Sequence, residues 1–129
     1  MIIDIGKQEE DENFNLEELQ RETIESMGEY IQVLCPKMKD MVCELRGELK
    51  DDTWEFLRMM IDGFNWVLEA YNGTSSIVNK DGVIDEDIVQ ESVDRLGKCF
   101  VDKKNIDVAD VLEKEIIPFL ETLGCACNK

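Results

Sequence analysis

An all-α fold, specifically a four-helix up-and-down bundle, follows from three features of this 129-residue chain. Apolar side chains recur at alternating spacings of three and four over long stretches. Asn and Asp residues stand where those stretches begin, as helix N-termini require. No segment sustains strict apolar–polar alternation with strand-forming residues.

Residues 1–13, with Glu9-Glu10-Asp11-Glu12, read as a disordered acidic arm, because a charge run of this kind cannot bury itself. Asn15 with Glu18 forms a capping pair that opens a long first helix. Its seam is Ile24, Met27, Ile31, Leu34, Met38, Met41 and Leu45. Pro36 lies inside that seam, where it removes one hydrogen bond and crowds the preceding turn; since the seam keeps its phase, a kink is expected rather than a break. After a turn from Gly47 to Asp52, Asp52 with Glu55 repeats the capping pattern and opens a second helix, expected to stop at Asn72-Gly73 unless Ile77 and Val78 carry it one turn further. Asp85 caps a third helix with Val89, Val93, Leu96 and Phe100, closed by Lys103-Lys104-Asn105. Asp107 opens a fourth with Val108, Val111, Leu112, Ile116, Phe119, Leu120 and Leu123, bent at Pro118 and ended by Gly124. Residues 14–124 therefore form one bundle domain and 125–129 a short tail.

Composition narrows the function classes. The net charge is −16, and residues 1–30 alone carry −8 of it. A field of that sign disfavours nucleic acid and anionic membrane and permits a basic protein partner. No run approaches the roughly 18 apolar residues of a membrane span, and the first residues have no basic region followed by an apolar run. A cytoplasmic location is expected, in which the five cysteines are free thiols. The chain has no histidine, which closes Ser-His-Asp and Cys-His catalysis and the Glu-x-x-His pairs of bundle di-iron sites.

Few motifs carry chemistry. Asn79-Lys80-Asp81-Gly82-Val83-Ile84-Asp85 echoes the centre of a calcium loop, but its first and last ligand positions fall on Ile77 and Ile88, so it reads as a polar turn followed by a cap. Cys125-Ala126-Cys127 lacks the further ligands of a closed zinc site and reads as a tail with incidental thiols. Cys35, Cys43 and Cys99 read as small core residues. Two carboxylate pairs, Glu22 with Glu25 and Glu91 with Asp94, are spaced for one helix face, as all-helical magnesium-dependent nucleotide pyrophosphatases require; no Lys/Arg cluster is placed to meet the phosphates. No catalytic residue, metal ligand or cofactor is assigned.

The second helix stands apart. From Trp54 to Tyr71, 12 of 18 residues are apolar, with five of the nine aromatics, and Glu55, Arg58, Asp62, Asn65 and Glu69 share one narrow polar stripe. A helix on one side of a small bundle needs an apolar face only a little over ~100° wide. This helix is therefore either the central element or a face for another chain. Trp54, Phe56, Met60, Phe64 and Trp66 are the contact candidates, with Met59 an adaptable neighbour.

Met60-Ile61-Asp62-Gly63-Phe64-Asn65-Trp66-Val67 and the stretch Asp107 to Leu120 resemble segments of small helical proteins of Gram-positive bacteria, a family without assigned activity. The resemblance implies an all-helical fold in a bacterial cytoplasm and supplies no catalytic residue. A looser analogy of size, charge and helix count links the chain to flagellar and secretion export chaperones. The expected function is a non-enzymatic protein–protein interaction module, adaptor- or chaperone-like, engaging a basic protein or an amphipathic helix. The alternatives are a homo-oligomeric structural protein, most simply a homodimer, and a magnesium-dependent nucleotide hydrolase on Glu22, Glu25, Glu91 and Asp94.

Overall fold

In the computed structural model, α1 spans Ile2–Arg46, α2 Thr53–Val78 and α3 Glu86–Val101; α4 (Asn105–Val111), a π-helical turn (Leu112–Ile116) and α5 (Ile117–Cys127) then follow without a break and make the fourth rod. The structure describes the backbone of residues 2–128 and the side chains of residues 16–128; α1 is already helical ahead of Asn15, so the expected opening there is not the helix start, and the side chains of the acidic arm expected over 1–13 lie outside those described. Among the described residues there is no strand, and no helix is long and apolar enough to cross a membrane.

The up-and-down order follows from pairs of contacts. Gln20 donates to the Gly73 carbonyl at 3.1 Å while Tyr30 stacks edge-on against Trp66, so α2 runs antiparallel to α1. Asn105 donates to the Leu45 carbonyl and Lys39 pairs with Glu121, so the fourth rod also runs antiparallel to α1. Trp54 meets Phe100 and Tyr71 meets Glu86, which sets α3 antiparallel to α2. The central element is α1, which packs on α2, α4, the π turn and α5. The sequence left open that α2 held this place; it lies to one side of α1 instead.

The seam expected on α1 is buried from Met27 to Leu45, with Ile24 half-buried. Burying a Leu, Ile or Met side chain stabilises by roughly 1.5–3 kcal/mol, so this one stripe is a main source of cohesion. It faces Val108, Leu112, Ile116, Leu120 and Leu123 of the fourth rod, all fully or nearly fully buried. The phase is unbroken across Pro36, and α1 runs through that residue without interruption.

Pro118 is accommodated differently. A proline interior to a helix lacks one donor and clashes with the carbonyl four residues back. Here the Ile117 N–H donates to the Leu112 carbonyl, a five-residue step that widens the backbone just ahead of Pro118.

Helix ends show where local signals were decisive and where packing overrode them. The Asp85 carboxylate accepts from the N–H groups of Asp87 and Ile88, the cap expected there. Asp52 makes no such bond; its neighbour Thr53 is buried and its hydroxyl accepts from the Lys50 N–H at 2.8 Å. At the far end of α3, Lys103 adopts φ 52°, with Lys103 N–H on Phe100 O and Lys104 N–H on Cys99 O. That is a Schellman stop with lysine in the left-handed position usually given to glycine.

Two expected stops are not stops. Asn72 and Gly73 lie inside α2, because Thr74 is buried, bonds back to the Ala70 carbonyl and carries the helix on to Val78. Gly124 does not end the fourth rod either, and the helix continues through Cys125 to Cys127. A Cβ on Gly124 would sit 3.2 Å from Ile31 Cγ2, and one on Gly28 would sit 3.0 Å from Cys127 Cβ. These glycines let α1 and α5 approach closely. The rod also begins two residues before Asp107, at Asn105.

Candidate functional site: an apolar groove between α1 and α2

Glycine again sets the geometry. A Cβ on Gly63 of α2 would run into the Tyr30 hydroxyl of α1 and lie 2.9 Å from its Cζ. The missing side chain lets the Tyr30 ring lie over α2, where it makes an edge-to-face contact with Trp66 at a centroid distance of 5.7 Å and an angle of 83°. Beyond this pair opens a groove of about 290 Å³ lined by Tyr30, Val33, Leu34, Lys37, Phe56, Met59 and Met60. An adjoining cleft of about 200 Å³ shares Lys37, Phe56 and Met60 and adds Asp40, Met41 and Glu44. Four apolar side chains along this surface stay in water: Val33 at 51% exposure, Phe56 at 50%, Met59 at 59% and Trp66 at 42%.

The five sequence candidates divide. Phe56 and Trp66 are on this surface, and Met60 is half-buried in the groove floor. Trp54 is half-buried on another side of α2, against the Phe100 ring at 6.1 Å. Phe64 is a correction: at 1% exposure, with its ring edge-on to Phe119 at 6.2 Å, it belongs to the core. Periodicity on α2 alone could not separate Phe64 from Phe56, since both lie on its broad apolar arc. The α1 contribution of Tyr30, Val33 and Lys37 was missed. Its signal was Val33, an apolar residue beside Gln32 and off the seam that the helix period defines.

The remaining chemical groups are dispersed. Glu22, Glu25, Glu91 and Asp94 are exposed, and Asp94 accepts from Gln90 at 3.0 Å. The two pairs lie on different helices, α1 and α3, and the fourth rod packs against both. No group of three or more acidic or cysteine side chains able to hold a metal forms among the described residues. The turn that echoed a calcium loop is closed internally: the Asn79 amide bonds both the N–H and the carbonyl of Ile84, and Gly82 supplies a φ of +68°. All five cysteines are free thiols; of the three expected in the core only Cys35 is buried, while Cys99 is half-buried and Cys43 exposed. Burial pushes the Cys127 thiol up to about 11 and also raises Cys35, the reverse of what a nucleophilic thiol needs. Ion pairs serve the frame, with Arg46 of α1 bridging Asp110 and Glu113 at 2.7 and 3.0 Å, and Arg95 of α3 on Glu115 of the π turn.

A family model described as a domain of unknown function (DUF8042) matches residues 22–124, which includes the whole α1–α2 groove. No curated protein and no solved structure matches the chain.

Proposed function

We propose that this chain, which belongs to the DUF8042 family of domains of unknown function, is a non-enzymatic protein-interaction module that binds through the α1–α2 groove. One observation carries the reading: Val33, Phe56, Met59 and Trp66 form a contiguous apolar row at a helix–helix groove, joined through Tyr30, in a chain with apolar material enough to fill its core without them. Scattered exposed apolar residues are ordinary, whereas a contiguous row rimmed by charge marks an interaction surface. With about half of each side chain left in water, covering the four contributes roughly 1 kcal/mol apiece. Trp66 and Phe56 are the anchors, and Met59 and Met60 adapt to the partner's shape.

The setting we propose is the cytoplasm of a Gram-positive bacterium, as the resemblance implies; the free thiols are compatible with it. The test compares native-cytosol pull-downs on wild-type chain and on Met59→Asp, each with its melting temperature measured. A partner retained by the first and lost by the second, at unchanged thermal stability, is the expected result. Equal retention by both variants refutes the groove as the binding surface. Self-association is the competing way to cover the same row, and light scattering that finds only monomer at micromolar protein removes it.

A further inference from the structure

Resting on that reading, we propose that the occupant of the α1–α2 groove is a single amphipathic helix with basic flanks, and that it is not a second copy of this chain. α1 and α2 are antiparallel neighbours, and the exposed row runs along α2 from Phe56 to Trp66. At 1.5 Å per residue that is about 15 Å, roughly three turns of a bound helix, so anchors at i, i+4, i+7 and i+11 span it. The two ends differ: the Trp66 end is walled by the Tyr30 ring, and the Phe56 end opens into the second cleft.

Charge decides between occupants. Asp40 and Glu44 line the second cleft, Glu44 already paired with Lys50 at 3.3 Å, and Glu29, Glu55, Asp62 and Glu69 are exposed on the same stretches of α1 and α2. The bases on these stretches are Lys37, Lys39 and Arg58, and Lys39 is turned away onto Glu121 of α5. A second copy would bring the same acidic rim and a net charge of −16 against this one. A helix with Lys or Arg beside its apolar stripe meets complementary charge instead. Lys37 lies within the groove and makes no ion pair among the described residues, so one acidic side chain near the middle of the bound helix fits beside it.

The test uses the full chain and three labelled synthetic helical peptides, read by fluorescence anisotropy at low salt. One carries Leu and Phe at i, i+4, i+7 and i+11 with Lys/Arg flanks; the second replaces the flanks with Glu; the third scrambles the apolar positions. The basic peptide should saturate, and the other two should bind at least about tenfold more weakly, a difference of about 1.4 kcal/mol. Met59→Asp should weaken the basic peptide by a similar factor, whereas Val101→Asp, at an exposed residue of α3 outside the groove, should change it less than about twofold. Equal binding of basic and acidic peptides overturns the charge assignment and leaves the groove reading intact. Binding that Met59→Asp does not change overturns both. Absence of peptide binding also overturns the proposal, and a doubled mass abolished by Met59→Asp would then identify the occupant as a second copy.

Discussion

Replacing Gly63 with alanine sets two effects of known sign against each other. Alanine is preferred to glycine inside a helix by about 1 kcal/mol, so helix propensity alone makes Gly63→Ala stabilising. The structure opposes it. The new methyl group collides with the Tyr30 hydroxyl and stands 2.9 Å from Cζ, so the ring must leave its place over α2. Moving it forfeits the edge contact with Trp66, worth about 0.5–1.5 kcal/mol, together with part of the ring's burial. Holding the ring in place instead costs about 1–3 kcal/mol of overpacking. The sum is a net loss of about 1 kcal/mol, which lowers the melting temperature by roughly 4 °C in a domain of this size. Gly73→Ala is the internal control, because it lies in the same helix and a Cβ there meets nothing within 4 Å. It should gain up to about 1 kcal/mol. Urea and thermal unfolding of both variants, followed by far-ultraviolet circular dichroism, decide the matter. In a Tyr30→Ser background the sign of Gly63→Ala should reverse. Equal stabilisation by Gly63→Ala and Gly73→Ala in the wild-type background would refute the steric argument and, with it, the origin assigned to the groove.

Other outcomes follow from single features. Asp85→Ala removes the acceptor for two N–H groups and should cost about 1 kcal/mol in urea unfolding, while Asp52→Ala, at a position without such bonds, should cost much less. Lys103→Gly relieves the left-handed residue ending α3 and should raise the unfolding free energy by roughly 1 kcal/mol. Burial first, and then the hydrogen bond to Glu86, hold the Tyr71 phenol up at about 12. Its neutral form therefore adds stability that is complete below the ordinary value of about 10 and is lost as pH rises from there towards 12; Tyr71→Phe should flatten that alkaline decline in pH-dependent unfolding. Alkylation mapped by mass spectrometry near neutral pH should reach exposed Cys43 and Cys125 first and buried Cys35 and half-buried Cys127 last.

Local rules were legible where a single segment contains its own answer. The α1 seam and the apolar faces of α3 and the fourth rod could be read by spacing, since a helix period decides which residues share a face. The Asp85 cap was legible for the same reason, as its donors lie two and three residues away. The failures share a cause too. Asn72-Gly73 and Gly124 carry ordinary stop chemistry, yet Thr74 and Leu123 are buried by residues far along the chain and hold the helix through both sites. The groove was half legible: α2 announced an excess of apolar surface, but not which part of it α1 would leave bare.

Periodicity, charge and composition by themselves determined an acidic, histidine-free, all-helical bundle and the identity of most inward faces, because these properties are carried by neighbours along one helix. Only the tertiary structure decided that α1 is central, that Phe64 is core while Phe56 is surface, and that Tyr30, Val33 and Lys37 join α2 in one groove. Those outcomes depend on how closely two helices approach and at what rotation. That approach is set by the volumes of facing residues such as Gly63 and Tyr30, which lie 33 positions apart in sequence.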